Sequence, residues 1–536
     1  MSLSDCDCST YIPFQQTGFF SKMMCDYIEK SDNTVPFYNN FPDIEGFNKQ
    51  IAEKGKSYTK QQRNTLVTVL KDQYKRVSIS ESVAFNLKVL EKENTYTVTT
   101  GHQLNLFTGP LYFLYKIISA INLAEELSNQ FPKYNFVPVY WMATEDHDFD
   151  EINYFNFEGR KVQWNSDQTG AVGRFSTAGL NDVFNAFKEL TGSSKRATYL
   201  QELFKEGYLA YANLADATRY IANELFKAYG LLIIDADDPR LKREFSPIIK
   251  EELLEQVSHK AVSKTNKILE KDYNIQVNPR AINLFYLKDA VRERIVFEDN
   301  KFKVHNTDIY FTEKTIIEEL ENYPERFSPN VIMRPLYQEV ILPNLCYIGG
   351  GGELAYWMQL KEYFKVVAIP FPILLLRNSV QVVKEKQYKK LEKLSISLTE
   401  LFQKQNDLLA SKVTENSQAT FDFLTQKKVL EQQFDELRVL ANKTDASFIG
   451  AVNAQEKKQL KGLDNLKKRL LRAEKRNQAD LVTRIKDLQN EILPNQSLEE
   501  RQRNFSEHYL EYGDDFIPIL KQELKPLELA FYLLVK

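Results

Sequence analysis

Apolar positions three and four residues apart, as in Leu66, Val69, Leu70 and Tyr74, run through the chain from Phe19 to about Glu93 and predict a mostly helical opening. The period then shortens. A β-prone run, Tyr96-Thr97-Val98-Thr99-Thr100, leads into the polar turn "TGHQ" and an apolar run opened by Gly109-Pro110. That order predicts a strand, a turn and a helix from about Pro110 to Gln130. A second strand is predicted from Phe136 to Met142, apolar on both faces and followed by "ATEDHD". Two strands joined by such a helix form a βαβ unit, with parallel strands and a right-handed crossover. Further strands are expected at Leu231 to Asp235, before the four glycines in "CYIGGGGELAYW", and at Val366 to Leu376. Between them, "FNFEGRKVQW", "LFYLKD", "RERIVFED" and "KFKVHN" alternate like antiparallel ribbons. The fold class implied is α/β: an open parallel sheet with inserted connecting segments, whose ligands sit beyond the carboxyl ends of the strands.

From Asn378 to about Leu493 glycine becomes scarce and Lys, Glu, Gln and Leu dominate. Heptad-like spacing in Leu430, Phe434, Leu437 and Ala441, and again in Leu481, Ile485, Leu488 and Ile492, predicts two arms of an antiparallel coiled-coil hairpin joined near "NKTDASFIG". Either arm has its partner in this chain or in another subunit. The closing "LAFYLLVK" is apolar enough to return to the core. The expected domains are a core over residues 1–377, with connecting segments in about 151–345, a coiled coil over 378–495 and a C-terminal return over 496–536.

At 536 residues, 43% hydrophobic and 27% charged, the chain has ample material for a globular core. A net charge of -3 gives no global attraction to nucleic acid or acidic membranes. Residues 457–476 hold nine Lys or Arg against two acids, but no aromatic residue that would stack on bases, so a solvated helix face is expected and no nucleic-acid partner. The apolar runs are short and broken by proline, so no membrane span is predicted. Cys6, Cys8, Cys25 and Cys346 have no zinc-type spacing, and no secretory leader is evident, so cytoplasmic thiols are expected.

Four polar strand ends carry the candidate chemistry. Thr100-Gly101-His102-Gln103 offers a hydroxyl, a bare backbone, an imidazole and an amide where an anion would bind, or forms an ordinary polar loop. Thr144-Glu145-Asp146-His147-Asp148 crowds acids that repel unless an amine, a metal or a protonated imidazole joins them; acids at a helix N-terminus are the other reading. Gly349 to Gly352 ahead of Glu353 would present N–H groups to an anion, or act as a flexible connection. Arg377-Asn378-Ser379 closes the last apolar strand. No G-x-S-x-G elbow is present for a serine hydrolase.

"TGHQLNLFTGPLYFLYKIISAINLA", "VPVYWMATEDHDFDEIN", "GGGGELAYWMQLKEYF" and "ERQRNFSEHYLEYGDDFI" together resemble the BshC family, the cysteine ligases of bacillithiol biosynthesis. The resemblance runs over nearly the whole chain. It implies a Rossmann-like core with connecting insertions, a coiled-coil domain and a homodimer formed through it. The implied reaction joins the carboxyl of cysteine to the amine of glucosaminyl malate. ATP, with or without magnesium, would activate the carboxyl, although no HIGH-like or KMSKS-like motif is evident; no tightly bound metal is expected. Thr100, Gly101 and Gln103 match the family's turn, in which glutamine is usual where His102 stands. On this resemblance the first turn, Gly109 and Lys116 bind anionic groups. Asp146, His147 and Asp148, beside Glu145, bind or deprotonate the amine. Gly350, Gly351, Gly352 and Glu353, with Arg377, Asn378 and Ser379, shape the other side of the pocket. The rival reading is a non-catalytic module that binds a nucleotide or sugar acid and assembles through its coiled coil.

Overall fold

The computed structural model describes residues 9–418, 421–445 and 447–536. Cys6 and Cys8 lie outside them. At the centre is a sheet of five strands, β1 (Thr95–His102), β2 (Asn135–Met142), β3 (Leu232–Asp235), β4 (Asn344–Gly349) and β5 (Ile373–Leu376). Their order across the sheet is β5-β4-β1-β2-β3, and every neighbouring pair is parallel. The helix Tyr112–Gln130 makes the β1–β2 crossover. From β1 the chain builds outward to β3, then returns to place β4 on the opposite side of β1. That reversal opens a crevice beyond the carboxyl ends of β1 and β4, the usual ligand position in this architecture.

The centre of the sheet carries polar residues because their hydrogen bonds close within it. All of β1 is buried, yet Thr97 and Thr99 donate to Asn344 Oδ1 of β4 at 3.3 and 2.8 Å, and Thr100 to the Ile348 carbonyl at 2.8 Å. A threonine-rich strand can therefore be central without leaving hydroxyls unsatisfied.

The strand expected from Val366 to Leu376 is shorter than its apolar run. Val366 ends the helix Lys361–Val366, Ala368 adopts φ 57°, and only Ile373–Leu376 pairs. Pro370 and Pro372 lack the N–H a ladder needs, which delays pairing until after them.

The connecting segments form an antiparallel ribbon, Tyr154–Phe157 with Arg160–Gln163, and a five-stranded antiparallel sheet spanning residues 284–329. Both sit over the carboxyl-end side of the central sheet and supply side chains to the crevice. Near the C-terminus, Phe531–Val535 lies between Val380–Val383, in parallel, and Thr10–Ile12, antiparallel.

The helical hairpin pairs differently from the two-arm expectation. Leu424–Thr444 packs against Phe448–Asn477, with Phe434, Ala441 and Val452 buried between them. A break at Gln478 separates Ala479–Ile492, which buries Ile485, Leu488 and Ile492 in the main core. The second heptad run thus faces the globular body, because similar apolar spacing serves either a coiled-coil seam or a core-facing helix. No helix among the described residues is long and apolar enough to cross a membrane.

Candidate functional site

A cavity of about 1000 Å³ lies at the crevice. Gly101, His102 and Gln103 enter from the end of β1, residues 144–147 from the end of β2, Gly350 to Glu353 from the turn after β4, and Arg377 from beyond β5. Three of the four predicted strand ends therefore converge, with the arginine of the fourth.

Lys116 and Glu353 lock the two sides of the crevice together. The Lys116 ammonium donates to the Gly101 carbonyl at 2.5 Å and to the two Glu353 carboxylate oxygens at 2.9 and 2.7 Å. Glu353 also accepts the Gly350 N–H at 2.7 Å and the Tyr347 hydroxyl at 3.1 Å. Burial pushes the Lys116 pKa down against the opposing pull of Glu353. Burial alone would raise Glu353, but Lys116 and the Gly350 N–H hold it below the usual range. With its three donor directions engaged, Lys116 ties strand end to glycine turn in place of the free anion-binding role assigned to it from the resemblance. Gly101 fits this junction because a Cβ there would stand only 3.2 Å from the Tyr347 hydroxyl.

On the other wall, Gln103 Nε2 bridges Asp146 Oδ2 and Glu151 Oε2, both at 2.9 Å. Asp146 Oδ1 accepts the His147 backbone N–H at 2.8 Å. Burial raises Asp146, but the hydrogen bonds from His147 and Gln103 and the charge of Arg292 bring it below the usual carboxylate range. Arg292 lies over the Phe285 ring at 4.0 Å and places Nη1 2.7 Å from His147 Nδ1. A guanidinium can only donate, so Nδ1 accepts and the ring proton sits on Nε2. Glu145 turns the opposite way and pairs with the fully buried Lys242; burial raises its pKa and Lys242 opposes the rise. The acidic run is thus split between two partners, which relieves the repulsion evident in its sequence.

Several assigned residues do not reach the cavity. The Thr100 hydroxyl is spent on β4. Gly109, at φ 64°, shapes the loop, and its carbonyl accepts from Asn504 at 2.6 Å. Asp148 is exposed at the start of the short helix Phe149–Ile152. Asn378 bonds to Ser119 and the Lys525 carbonyl, and Ser379 to Arg377 and Glu500.

Most of the cavity's positive charge was not evident in the sequence. Arg280, Arg292, Arg294, Arg334 and Arg501 join Arg377 and Lys116 around the cavity, against the carboxylates of Glu145, Asp146, Glu151 and Glu353. Seven cations face four anions in a chain whose net charge is -3. Arg280, Arg294 and Arg501 make no ion pair among the described residues. One signal was available: Arg292 and Arg294 are two apart in "RERIVFED", which puts both on one face of a strand. No group of three or more His, Cys, Asp or Glu side chains is placed to share a metal ion among the described residues.

Comparison with known proteins matches this architecture. Residues 8–378 match the family model described as Bacillithiol biosynthesis BshC, N-terminal Rossmann-like domain. Residues 380–535 match Bacillithiol biosynthesis BshC, C-terminal coiled-coil domain. Relatives named "Putative cysteine ligase BshC" are 56% identical in Flavobacterium johnsoniae, 54% in Christiangramia forsetii and 40% in Cytophaga hutchinsonii. The first two alignments cover 98% of both chains and the third 92% of both. With both domain models matched in order and identity above one half across nearly the full length, this chain belongs to the BshC family of bacillithiol biosynthesis.

Proposed function

We propose that this protein is a ligase that joins the carboxyl group of cysteine to the amine of glucosaminyl malate, forming an amide. The observation that carries this reading is a single cavity lined by both arginines and carboxylates, able to take an anionic and an amine group at once. The malyl carboxylates suit Arg280, Arg292 and Arg294, since guanidinium groups pair with carboxylates in bidentate fashion. The amine, protonated in water, suits Asp146 and Glu151, which Gln103 holds side by side.

The amine must lose a proton before it attacks. His147 is the ring nearest Asp146, and its Nδ1 becomes a proton acceptor once Arg292 turns to a substrate carboxylate. Binding of the malyl group would then release the base. Amide formation from a free carboxylate is uphill, and ATP is the proposed source of activation, converting the cysteine carboxylate into a mixed anhydride with phosphate. Arg501, without an ion pair among the described residues and facing the cavity with the glycine turn, fits a nucleotide's charge. Magnesium would arrive on the nucleotide. Attack on the α-phosphorus would release pyrophosphate and leave AMP for the amine to displace; attack on the γ-phosphorus would release ADP and leave inorganic phosphate for the amine to displace.

The proposed unit is a cytoplasmic homodimer. Leu437, Val439, Leu440 and Phe448 on the helical hairpin are 43%, 56%, 59% and 56% exposed, an apolar surface suited to a second copy. Purified protein given cysteine, glucosaminyl malate and ATP should yield the cysteinyl amide by mass spectrometry together with AMP or ADP. Product without nucleotide consumption would remove ATP from the scheme. Absence of product would overturn the ligase reading.

A further inference from the structure

His102 and Arg377 each keep one buried nitrogen without a partner. His102 is 8% exposed, its ring set against Tyr112 and Phe113 at centroid distances of 5.5 and 5.1 Å, and its Nε2 meets no hydrogen-bonding atom. Arg377 is 5% exposed. Its two terminal nitrogens are held by Glu500 at 2.8 and 2.7 Å, which fixes the guanidinium plane and leaves Nε without a partner. That Nε lies 3.9 Å from where a Cβ on Gly350 would stand, so it faces the glycine turn. The turn opens the eight-residue helix Gly351–Met358. Gly350 gives its N–H to Glu353, but those of Gly351 and Gly352 have no acceptor among the described residues, and a Cβ on Gly352 would meet nothing within 4 Å.

We propose that His102 Nε2, Arg377 Nε and the N-terminus of the helix Gly351–Met358 form a subsite for one oxyanion, a carboxylate or a phosphate group. The inference rests on the ligase reading and adds the group that one of its substrates presents here. The surroundings select the sign of the ligand. Burial, Lys116 and Arg377 all disfavour charge on the imidazole, so the ring is a neutral donor and not a base for an amine. The neighbouring carboxylates are both occupied, Glu353 by Lys116, Gly350 and Tyr347 and Glu500 by the terminal nitrogens of Arg377. A buried donor left unmade is costly, and an anion there would satisfy the imidazole, the guanidinium and the helix N-terminus together.

The test uses the full-length chain labelled with 15N-histidine, whose five histidines give a countable spectrum. The signal that disappears in His102→Gln is His102. Malate and inorganic phosphate are titrated separately. A shift of the His102 ring signal with malate alone supports the subsite and assigns it to a carboxylate; with phosphate alone, it supports the subsite and assigns it to a phosphoryl group; with both, it supports a general oxyanion site. No shift with either at saturating concentration overturns the proposal. Arg377→Lys keeps the charge but loses the Nε donor, and should weaken binding of the active probe about tenfold. Unchanged affinity would also overturn it. The ligation assay is independent: product without a His102 shift sinks the subsite alone, whereas a shift without product sinks the ligase reading alone.

Discussion

Arg377 meets Glu500 at 2.7 Å and Lys427 meets Asp464 at 2.6 Å, yet the two ion pairs belong to different physical regimes. The first lies at the junction of the core and the C-terminal segment, with side chains 5% and 0% exposed. The second crosses the helical hairpin, with side chains 30% and 50% exposed. Separating the buried pair would leave a charge in low dielectric, so its geometry is rigid and orients a cavity residue. Water screens the other, which contributes register between two helices and little energy. The crevice concentrates buried charge pairs and orphaned nitrogens, whereas the hairpin spreads its charge over solvent. Function is therefore sought where charge is expensive to hold.

The largest expected effect sharpens the chemical side of this contrast. His147→Ala should lower the ligation rate on the order of 10²–10⁴-fold. Because His147 is 48% exposed, the thermal midpoint should stay where it is. Product formation by mass spectrometry and a melting curve check both halves, and a normal rate would remove His147 from the mechanism. Next comes Glu500→Ala, which strands Arg377 in the interior and should cost about 3–5 kcal/mol in a denaturant titration. A loss under about 1 kcal/mol would erase the distinction between the two ion pairs.

Asp146 offers a smaller, pH-dependent test. Its folded pKa is depressed, so it contributes stability above its unfolded value near 3.9 and loses that contribution as pH falls through the folded value. Asp146→Asn should therefore be less stable than the parent at neutral pH by about 1–2 kcal/mol, with the difference closing below about pH 4. A gap that stays constant across an acid series of denaturation curves would refute the assignment. At the bottom of the scale, Asp464→Asn on the hairpin should change neither the unfolding midpoint nor the ligation rate. A marked drop in either would show that the hairpin pair behaves like the buried one.

Much of the sheet was legible in the chain. The periodicities around Tyr96 to Thr100, Phe136 to Met142 and Leu231 to Asp235 mark β1, β2 and β3, because a parallel strand buried on both faces must be apolar or internally bonded along its length. The run from Val366 was overread: apolar character continues through Pro370 and Pro372, but pairing does not. In the site, Gln103, Asp146 and Glu353 were visible as polar residues at strand ends. Arg280, Arg334 and Arg501 were not, since each sits in a segment whose local pattern says only that it is a loop or a helix start.

By itself, then, the sequence determined the α/β class, the polar strand ends and the family, since hydrophobic period and local motifs are properties of neighbouring residues. Only the tertiary structure decided which charges meet. It turned Lys116 from a free anion ligand into the tie between Gly101 and Glu353, split Glu145 from Asp146, and brought Arg377 under Glu500, 123 residues away. The reason is physical: the cost of burying a charge is set by what surrounds it in space, and those partners come from segments far apart in the chain.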